Sequence, residues 1–331
     1  MNILFSTVRK EEKDFFISKL KNRFKRVEFI SDYLPDRSER SFFYKIIKNF
    51  RKKIYTNNFI ENLYDKECKK FYRKKLNNFD CSFDYFFVIS REFSKNFIRE
   101  LKDRMPNIKT ILFIWDKLDY SPYKNNYDAF DYIFSFDKKD CEKYGFKFRA
   151  SYFIDSFRED LIEYTKRKYD LYYIGQLREK KRLIYLEKIY KNLKNKNLNL
   201  FIKIYNDLKD KSIIITKKLE LNKKISYIEN MNKIKNSRVI IDISYKEQKG
   251  LTLRCFEALA TQTKIITDNV DIVNYDFYNS NNIFILKSIE DIKNIPFHFF
   301  KEKYHKIDED IINKYSVDGF LEEIFNYVQA H

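Results

Sequence analysis

The chain has 331 residues and a mass of 40.8 kDa, and since a single hydrophobic core rarely grows beyond roughly 250–300 residues, two domains are expected. Hydrophobic residues make up 44% of it, which excludes wholesale disorder, and only 4 Gly and 4 Pro exclude collagen-like and linker-rich chains. The 66 Lys and Arg exceed the 48 Asp and Glu by 18, so the net charge of +18 favours nucleic acid, an anionic membrane surface or an anionic substrate as partner. A bias towards Lys, Asn, Ile, Tyr and Phe, which share A/T-rich codons, is a fourth explanation of this charge.

In the first half of the chain, short apolar runs alternate with helical patterns. The runs predict strands over residues 2–7, 27–30, 84–90, 110–115, 132–136 and 149–153. A helix is predicted over residues 94–104, and a long basic stretch rich in aromatic residues, 42–76, contains no glycine or proline to break a helix.

The pattern begins again in the second half. Strands are predicted over residues 170–175, 201–205, 212–216, 238–244, 264–267 and 283–286. Helices are predicted over residues 182–194, 227–236 and 253–261, and charged helices close the chain. Strands that alternate with helices imply parallel sheets covered on both faces, and in such sheets ligands bind at the carboxyl ends of the strands.

The histidines and cysteines exclude several kinds of catalytic and metal site. All three histidines, His298, His305 and His331, lie in the last tenth of the chain, so no Ser-His-Asp or Cys-His site is expected in the first half unless the tail folds back onto it. The four cysteines form no CxxC pair: Cys68, Cys81, Cys141 and Cys255. We expect free buried thiols, no bound metal and no other cofactor.

The stretch 237–269 carries the strongest chemical signal. A predicted strand ends at Asp242, and a polar loop with Gln248, Gly250 and Thr252 leads into a helix that carries Arg254 and Glu257. The N-terminus of a helix behind such a loop attracts anions, and Arg254 can bind a phosphate in bidentate fashion. The Glu257 carboxylate can accept two hydrogen bonds from a vicinal diol. This combination suits a nucleotide or nucleotide-sugar ligand, and an ordinary strand–loop–helix with surface charges is the alternative that the spacing alone leaves open.

The same stretch resembles the donor site of GT-B glycosyltransferases, and in particular a bacterial set involved in lipopolysaccharide or capsular polysaccharide biosynthesis. The shared signature reads Q-x-G-L-T-x-R-x-x-E-A-L, and the matching residues are Gln248, Gly250, Leu251, Thr252, Arg254, Glu257, Ala258 and Leu259. Further similarity lies at Trp115-Asp116, around Asp137 and Asp140, and at Tyr173-Ile174-Gly175. The resemblance covers roughly residues 110–285. Lys249 stands where retaining members carry a first Glu, so retention or inversion stays open.

The resemblance implies an α/β protein of GT-B fold, with two Rossmann-like domains whose parallel sheets face a central cleft. We expect an acceptor-binding domain over 1–160, a nucleotide-sugar-binding domain over 161–300, and C-terminal helices over 301–331 that pack back on the first domain. The charged segment 156–168 would connect the domains. Donor-binding residues would be Gly175, Arg178, Arg182, Gln248, Gly250, Leu251, Thr252, Arg254 and Glu257. Glu257 and Asp116 are the catalytic candidates, Asp116 as a general base in competition with Asp119.

The implied activity is transfer of a sugar from a nucleotide-sugar donor to a lipid-linked or growing surface glycan. A nucleic-acid-binding protein and a GT-B-fold nucleotide-sugar epimerase are the alternatives, although no nucleic-acid-binding motif is present and no nucleic acid partner is expected. The only D-x-D, Asp308-Glu309-Asp310, lies in a terminal charged helix and is interpreted as surface rather than as a metal site.

Three features of the sequence predict where the protein is located: it lacks a signal-peptide pattern, it lacks a long apolar run, and it has a basic stretch rich in aromatic residues. The first residues lack the basic segment of a signal peptide, and no run of 18 apolar residues occurs, so we expect a cytoplasmic protein. The stretch 42–76 interleaves aromatic residues with Lys and Arg, which is typical of a surface that lies on anionic lipid. Peripheral attachment to the inner face of the cytoplasmic membrane is therefore expected, with a solvated helix as the alternative.

Overall fold

The computed structural model describes residues 1–31, 41–53, 58–79, 82–121, 124–177, 179–205, 218–221, 223–244 and 249–331. The chain divides into two compact units. The first comprises Met1–Phe136 and Asp140–Phe148, and the second comprises Asp137–Lys139 and Arg149–His331. Each unit is built on one parallel β-sheet, which confirms the predicted α/β class and its two sheets.

The first unit contains six parallel strands in the spatial order β2-β1-β3-β4-β5-β6. In chain order they are β1 Asn2–Thr7, β2 Arg26–Phe29, β3 Tyr85–Ile89, β4 Lys109–Ile114, β5 Tyr132–Ser135 and β6 Lys147–Phe148. All five side chains of β3 are buried, as are five of the six in β4. Such continuous apolar runs form central strands because helices cover both faces of a parallel sheet.

The helices of the first unit are α1 Lys10–Lys21, α2 Phe42–Lys53, α3 Asn58–Asn77, α4 Lys95–Arg104 and α5 Lys138–Tyr144, the last of which begins in the second unit. The Ser94 hydroxyl caps α4 by accepting a hydrogen bond from the backbone N–H of Phe97 at 3.2 Å. The stretch predicted as one helical region over 42–76 forms two helices. Tyr44 of α2 and Tyr64 of α3 stack with ring centroids 5.7 Å apart, so the aromatic residues on the inner faces join the core.

The second unit contains five parallel strands in the order β11-β10-β9-β7-β8. They are β7 Tyr169–Gln176, β8 Leu200–Tyr205, β9 Ser237–Asp242, β10 Lys264–Thr267 and β11 Ile283–Ile285. The helices are α6 Lys180–Leu193, α7 Tyr227–Lys235, α8 Leu253–Ala260, α9 Glu309–Lys314 and α10 Val317–Ala330. Numbered within the unit, the strand order is 2-1-3-4-5, a doubly wound arrangement whose order reverses between β7 and β9.

The segment 149–153, predicted as a strand, lies outside both sheets. The first sheet ends instead at β6, and Phe153 forms only an isolated bridge with Ser316. Arg149 explains this course, since its buried guanidinium donates to the Lys314 carbonyl and pairs with Glu323 on α10 at 3.0 Å. The predicted strand 212–216 lies outside the described residues. The packing of the C-terminal helices on the first unit stays a prediction.

The described residues contain neither a membrane-spanning helix nor a cluster of metal ligands. None of the helices in the described ranges has both the length and the apolar character that a bilayer-spanning segment needs. Within the same ranges, no group of three or more His, Cys, Asp and Glu side chains is arranged to hold a metal ion.

Candidate functional site

The strand order of the second unit singles out one edge of its sheet. Helices that follow β7 and β9 lie on opposite faces of a doubly wound sheet, so a crevice opens at the carboxyl ends of these two strands. Gly175 and Gln176 end β7, and Asp242 ends β9. Because β7 and β9 are paired neighbours, the predicted Gly175 loop and the predicted loop before α8 meet at this edge.

Asp242 organises the start of α8. Its side chain is fully buried, and one carboxylate oxygen accepts hydrogen bonds from the Thr252 hydroxyl at 2.8 Å and from Nη1 of Arg254 at 3.2 Å. The thiol of Cys255 lies 3.4 Å from the other oxygen, and burial together with Asp242 raises the pKa of Cys255 well above its usual value. Thr252 is a predicted donor-binding residue, but in the structure its hydroxyl donates its hydrogen bond to Asp242.

Arg254 lies across the ends of both strands. Besides its bond to Asp242, its Nη2 donates to the Ile174 carbonyl of β7 at 3.1 Å, and its guanidinium lies 5.1 Å from the centre of the Tyr173 ring. Burial opposes the charge, but Tyr173, Asp242 and Glu257 outweigh it and raise the pKa of Arg254. The side chain remains 25% exposed. A guanidinium has five N–H groups, so donors remain for a ligand at this edge.

The first turn of α8 is open to an anion. Since the Thr252 side chain bonds Asp242, it makes no capping hydrogen bond to this helix. Among the described residues, none accepts a hydrogen bond from the backbone N–H groups of Leu253 and Arg254. Free N–H groups and the helix dipole therefore combine with the Arg254 charge at one place, as phosphate binding requires.

The loop before α8 is fixed from two sides. The buried Asp137 carboxylate accepts from the backbone N–H groups of Lys249 and Gly250 at 3.1 and 3.3 Å. The Asn269 amide donates to the carbonyls of the same two residues at 3.2 and 3.4 Å. The N–H of Gly250 is thus occupied by a protein carboxylate, and the open anion-binding groups are those of α8. Lys249 itself pairs with Asp271 at 3.2 Å.

Basic residues at the start of α6 face the same edge. Arg182 donates from Nη1 to the Gln176 carbonyl at 3.0 Å and from Nη2 to the Ile243 carbonyl at 2.9 Å. Lys181 pairs with Asp268 at 2.7 Å, so its charge is balanced, whereas the hydrogen-bond acceptors of Arg182 are two neutral carbonyls. The guanidinium of Arg182 therefore adds positive charge that no carboxylate among the described residues balances through an ion pair.

Gly175 has a local reason to be glycine. A Cβ at this position would lie 2.2 Å from the Tyr173 hydroxyl oxygen, because residues i and i+2 of a strand share a face. The tyrosine hydroxyl occupies the space where a side chain at 175 would stand. Gly175 is also a predicted donor-binding residue, and the contact with Tyr173 is a separate requirement for glycine at this position.

The remaining predicted residues are distributed as follows. Glu257 is buried one turn after Arg254. Besides the effect of burial, its charge helps to raise the pKa of Arg254 and the pKa of Tyr172. Leu251 is a core residue. Arg178 and Gln248 lie outside the described residues. Six of the predicted residues thus lie at or beside this edge of the sheet, Gly175, Arg182, Gly250, Thr252, Arg254 and Glu257, and the sequence alone assigned no role to Tyr173, Asp137, Asp268 or Asn269.

The two carboxylates proposed as general bases belong to the first unit. Asp116 is exposed just beyond β4, and the described residues provide it with no hydrogen-bond or ion-pair partner. Asp119 accepts from Lys124 at 3.1 Å and lies 3.8 Å from Lys143, and these lysines lower the pKa of Asp119. Of the two, Asp116 has the less constrained carboxylate.

Comparison with known proteins identifies the fold. No family model and no curated protein sequence matches the chain. Two parallel doubly wound sheets match those of GT-B glycosyltransferases along the whole length, which confirms the predicted GT-B fold.

Three solved structures illustrate the likeness. The lipopolysaccharide outer core galactosyltransferase WaaB in its apo form has 11% identity and a TM-score of 0.56, with 100% of this chain and 99% of that chain covered. HepE (Alr3699) from Anabaena, in complex with UDP and glucose, has 8% identity and a TM-score of 0.55, with both chains fully covered. An alpha-glucosyltransferase in complex with UDP and a 13-mer DNA containing a central A:G mismatch has 13% identity and a TM-score of 0.56, covering 99% and 100%. At these identities the likeness concerns the fold.

Proposed function

We propose that the protein is a nucleotide-sugar-dependent glycosyltransferase. One observation carries the proposal: Arg254, the open first turn of α8 and the charge of Arg182 converge at the carboxyl ends of β7 and β9. This set suits a diphosphate. Two of the structures with the same fold contain UDP, which makes a uridine nucleotide the first donor to test.

The chain's residues would act mainly by positioning and by electrostatics. Arg254, Arg182 and the N–H groups of α8 would stabilise the diphosphate as negative charge develops on it when the glycosyl bond breaks. Glu257 would accept hydrogen bonds from a diol of the donor. Asp116 of the first unit would serve as general base towards an acceptor hydroxyl in an inverting reaction. The donor would need no metal, since basic side chains supply the neutralising charge.

We propose a lipid-linked or growing surface glycan as the acceptor, on an anionic membrane surface. The exposed side chains of Phe42, Phe43 and Phe50 on α2, beside Lys45 and Lys48, support attachment to such a surface. The likeness to WaaB agrees with this acceptor class. The DNA-bound glucosyltransferase favours one alternative, in which a nucleic acid is the acceptor, and the basic charge is compatible with that alternative as well.

A two-stage experiment tests the proposal. Thermal-shift measurements with UDP, GDP, CMP and dTDP sugars should reveal one class that stabilises the protein, by about 2.7 kcal/mol at 100 times Kd. Product analysis then follows with that donor alone and with donor plus glycolipid, glycan or DNA acceptors. Conversion of the donor alone to an isomeric sugar nucleotide would identify an epimerase. Absence of stabilisation by every nucleotide sugar, with tight salt-dependent binding to nucleic acid, would overturn the assignment.

A further inference from the structure

Three buried polar atoms at the β7–β9 edge have no hydrogen-bond partner within the described part of the molecule: the Tyr173 hydroxyl, the Ser244 hydroxyl and Nε of Arg182. Tyr173 is 1% exposed and Ser244 is 5% exposed. Buried polar groups are almost always hydrogen-bonded, because one without a partner loses its hydration and gains nothing in return. Three such atoms at one place therefore require an explanation.

The contacts of Arg182 bring these atoms together. Its Nη1 bonds the carbonyl of Gln176, the residue after Gly175, whose Cα lies against the Tyr173 hydroxyl. Its Nη2 bonds the carbonyl of Ile243, the residue before Ser244. Arg182 is also the charged group that acts most strongly on the Tyr173 hydroxyl. Arg182 is thus held by the residue after Gly175 and by the residue before Ser244, which places the three unpartnered atoms at the same ends of β7 and β9.

All three atoms can donate a hydrogen bond at neutral pH. Burial raises the pKa of Tyr173, so its hydroxyl keeps its proton, and a serine hydroxyl and a guanidinium Nε–H are donors as well. The backbone of Ser244 is fixed independently, since its N–H donates to Asp268 at 2.7 Å. The hydroxyl of Ser244 is therefore not needed to hold the loop. Such a set of donors suits an anionic oxygen.

We propose that Tyr173, Ser244 and Arg182 form a binding subsite for a phosphate group of the donor diphosphate. The inference rests on the proposed function and names two further residues in the same site. Arg182 would exchange its neutral carbonyl acceptors for the phosphate, because a guanidinium–phosphate pair is stronger than a guanidinium–carbonyl bond. That movement would uncover the two hydroxyls, which then donate to the phosphate oxygens.

Two conservative variants, Tyr173→Phe and Ser244→Ala, test the subsite in the full-length protein. Each removes one unpartnered hydroxyl, so the melting temperature should stay the same or rise. Each should weaken the binding of UDP and of inorganic diphosphate about tenfold in titration calorimetry, since a hydrogen bond to a charged group is lost. Tyr164→Phe is the matched control, because the Tyr164 hydroxyl donates to the Arg238 carbonyl at the amino end of β9. This control should lower the melting temperature and leave both affinities unchanged.

The outcomes separate the subsite from the proposed function. If both variants bind UDP and diphosphate within twofold of the wild type, the hydroxyls contact only internal water and the subsite is wrong. If the wild type binds diphosphate but no nucleotide, and the variants lose diphosphate binding, the subsite stands and the proposed function falls. If the wild type binds neither probe, both are overturned.

Discussion

At the scale of single residues, Arg254 has two roles that substitutions can separate. It balances the buried charge of Asp242, and its remaining N–H groups are available to a ligand because the side chain is 25% exposed. Arg254→Lys keeps a positive charge near Asp242 but loses the planar fork that binds phosphate in bidentate fashion. We expect kcat/KM for donor turnover to fall roughly 10–100-fold, or about 1.4–2.7 kcal/mol, with little change in urea stability.

Arg254→Ala is expected to differ in kind from the lysine variant. Among the described residues it leaves Asp242 with the Thr252 hydroxyl and the Cys255 thiol as side-chain partners, so unfolding should require about 2 kcal/mol less free energy, a moderate figure because Arg254 is partly exposed. Arg158→Lys, which alters an ion pair with Glu309 away from the site, is the control. Full turnover by Arg254→Lys would contradict the role of Arg254 in donor binding.

Lys264 provides a test of stability that is separate from the site. This lysine of β10 is completely buried, its Nζ has no hydrogen-bond partner in the described part of the chain, and Nζ lies 5.0 Å from the centre of the Phe299 ring. Lys264→Met keeps the volume and removes the buried charge, so it should raise the free energy of unfolding by about 1–3 kcal/mol. The exposed Lys287→Met should change it by less than about 0.5 kcal/mol.

The extra stability of Lys264→Met should decrease as the pH rises. Burial lowers the pKa of Lys264 below its usual 10.5, so the folded protein binds this proton less tightly than the unfolded chain does. The penalty is complete at pH values below the folded pKa and declines as the pH rises towards 10.5. The stability difference between Lys264→Met and wild type should therefore narrow in alkaline urea titrations. A difference that is absent at neutral pH would show that Nζ is solvated.

At the scale of elements, Asp137 fixes the loop from which α8 begins. Asp137→Ala frees the N–H groups of Lys249 and Gly250, and should lower the stability by about 1–3 kcal/mol. Because the loop sets the direction of the α8 N-terminus, the affinity for UDP should fall as well, and Asp137→Asn, which keeps an acceptor oxygen, should be intermediate. Asp310→Ala on exposed α9 is the control for both measurements. If the stability and the UDP affinity of Asp137→Ala both equal those of the wild type, the anchoring role is wrong.

Regular elements could be predicted closely because each has a local cause. Strand β10 was predicted with its observed bounds, and β7 and β9 to within two residues, since most residues of these runs are apolar and buried. The segment 149–153 is buried as well but lies outside the sheets, because the long-range partners of Arg149 set its course. The contact of Arg149 with Lys314 joins residues 165 positions apart, so the local pattern of apolar residues cannot reveal it.

The site shows the same division between local and distant causes. The loop–helix pattern predicted Thr252, Arg254 and Glu257 together, because they lie within two turns of one helix start. It could not predict that the Thr252 hydroxyl bonds Asp242, or that Gly175 accommodates a tyrosine two residues earlier. Side-chain partners depend on how strands and helices pack, and spacing along the chain does not determine that packing.

At the scale of the whole molecule, two groups of basic residues that contribute to the net charge of +18 can be assigned to separate surfaces. Part of it lies at the β7–β9 edge, where Arg182 and Arg254 face the proposed diphosphate. Another part lies on α2, whose sequence FFYKIIKNFRKK contains five basic residues and no acidic one. Tyr44 and Ile47 of α2 are buried, whereas Phe42, Phe43 and Phe50 are 78%, 51% and 53% exposed.

This division predicts that α2 carries the affinity for membranes. The protein should bind vesicles that contain phosphatidylglycerol and should not bind pure phosphatidylcholine, with an affinity that falls as salt rises, since each basic residue near an anionic surface contributes about 1 kcal/mol. Replacing Phe42, Phe43 and Phe50 together by serine should reduce vesicle binding at least about tenfold, because their apolar area can no longer enter the interface. Stability should be unchanged, since all three side chains are exposed.

Phe297→Ser provides the control for this experiment, because Phe297 is similarly exposed at 48% but lies in the second unit. If the triple variant sediments with anionic vesicles as the wild type does, the exposed phenylalanines of α2 have another role. If binding is equal for anionic and neutral vesicles, the basic residues contribute nothing to it. A nucleic-acid role would be favoured instead by salt-dependent binding to DNA or RNA that the triple variant retains, because that interaction needs the positive charges and not the exposed phenylalanines.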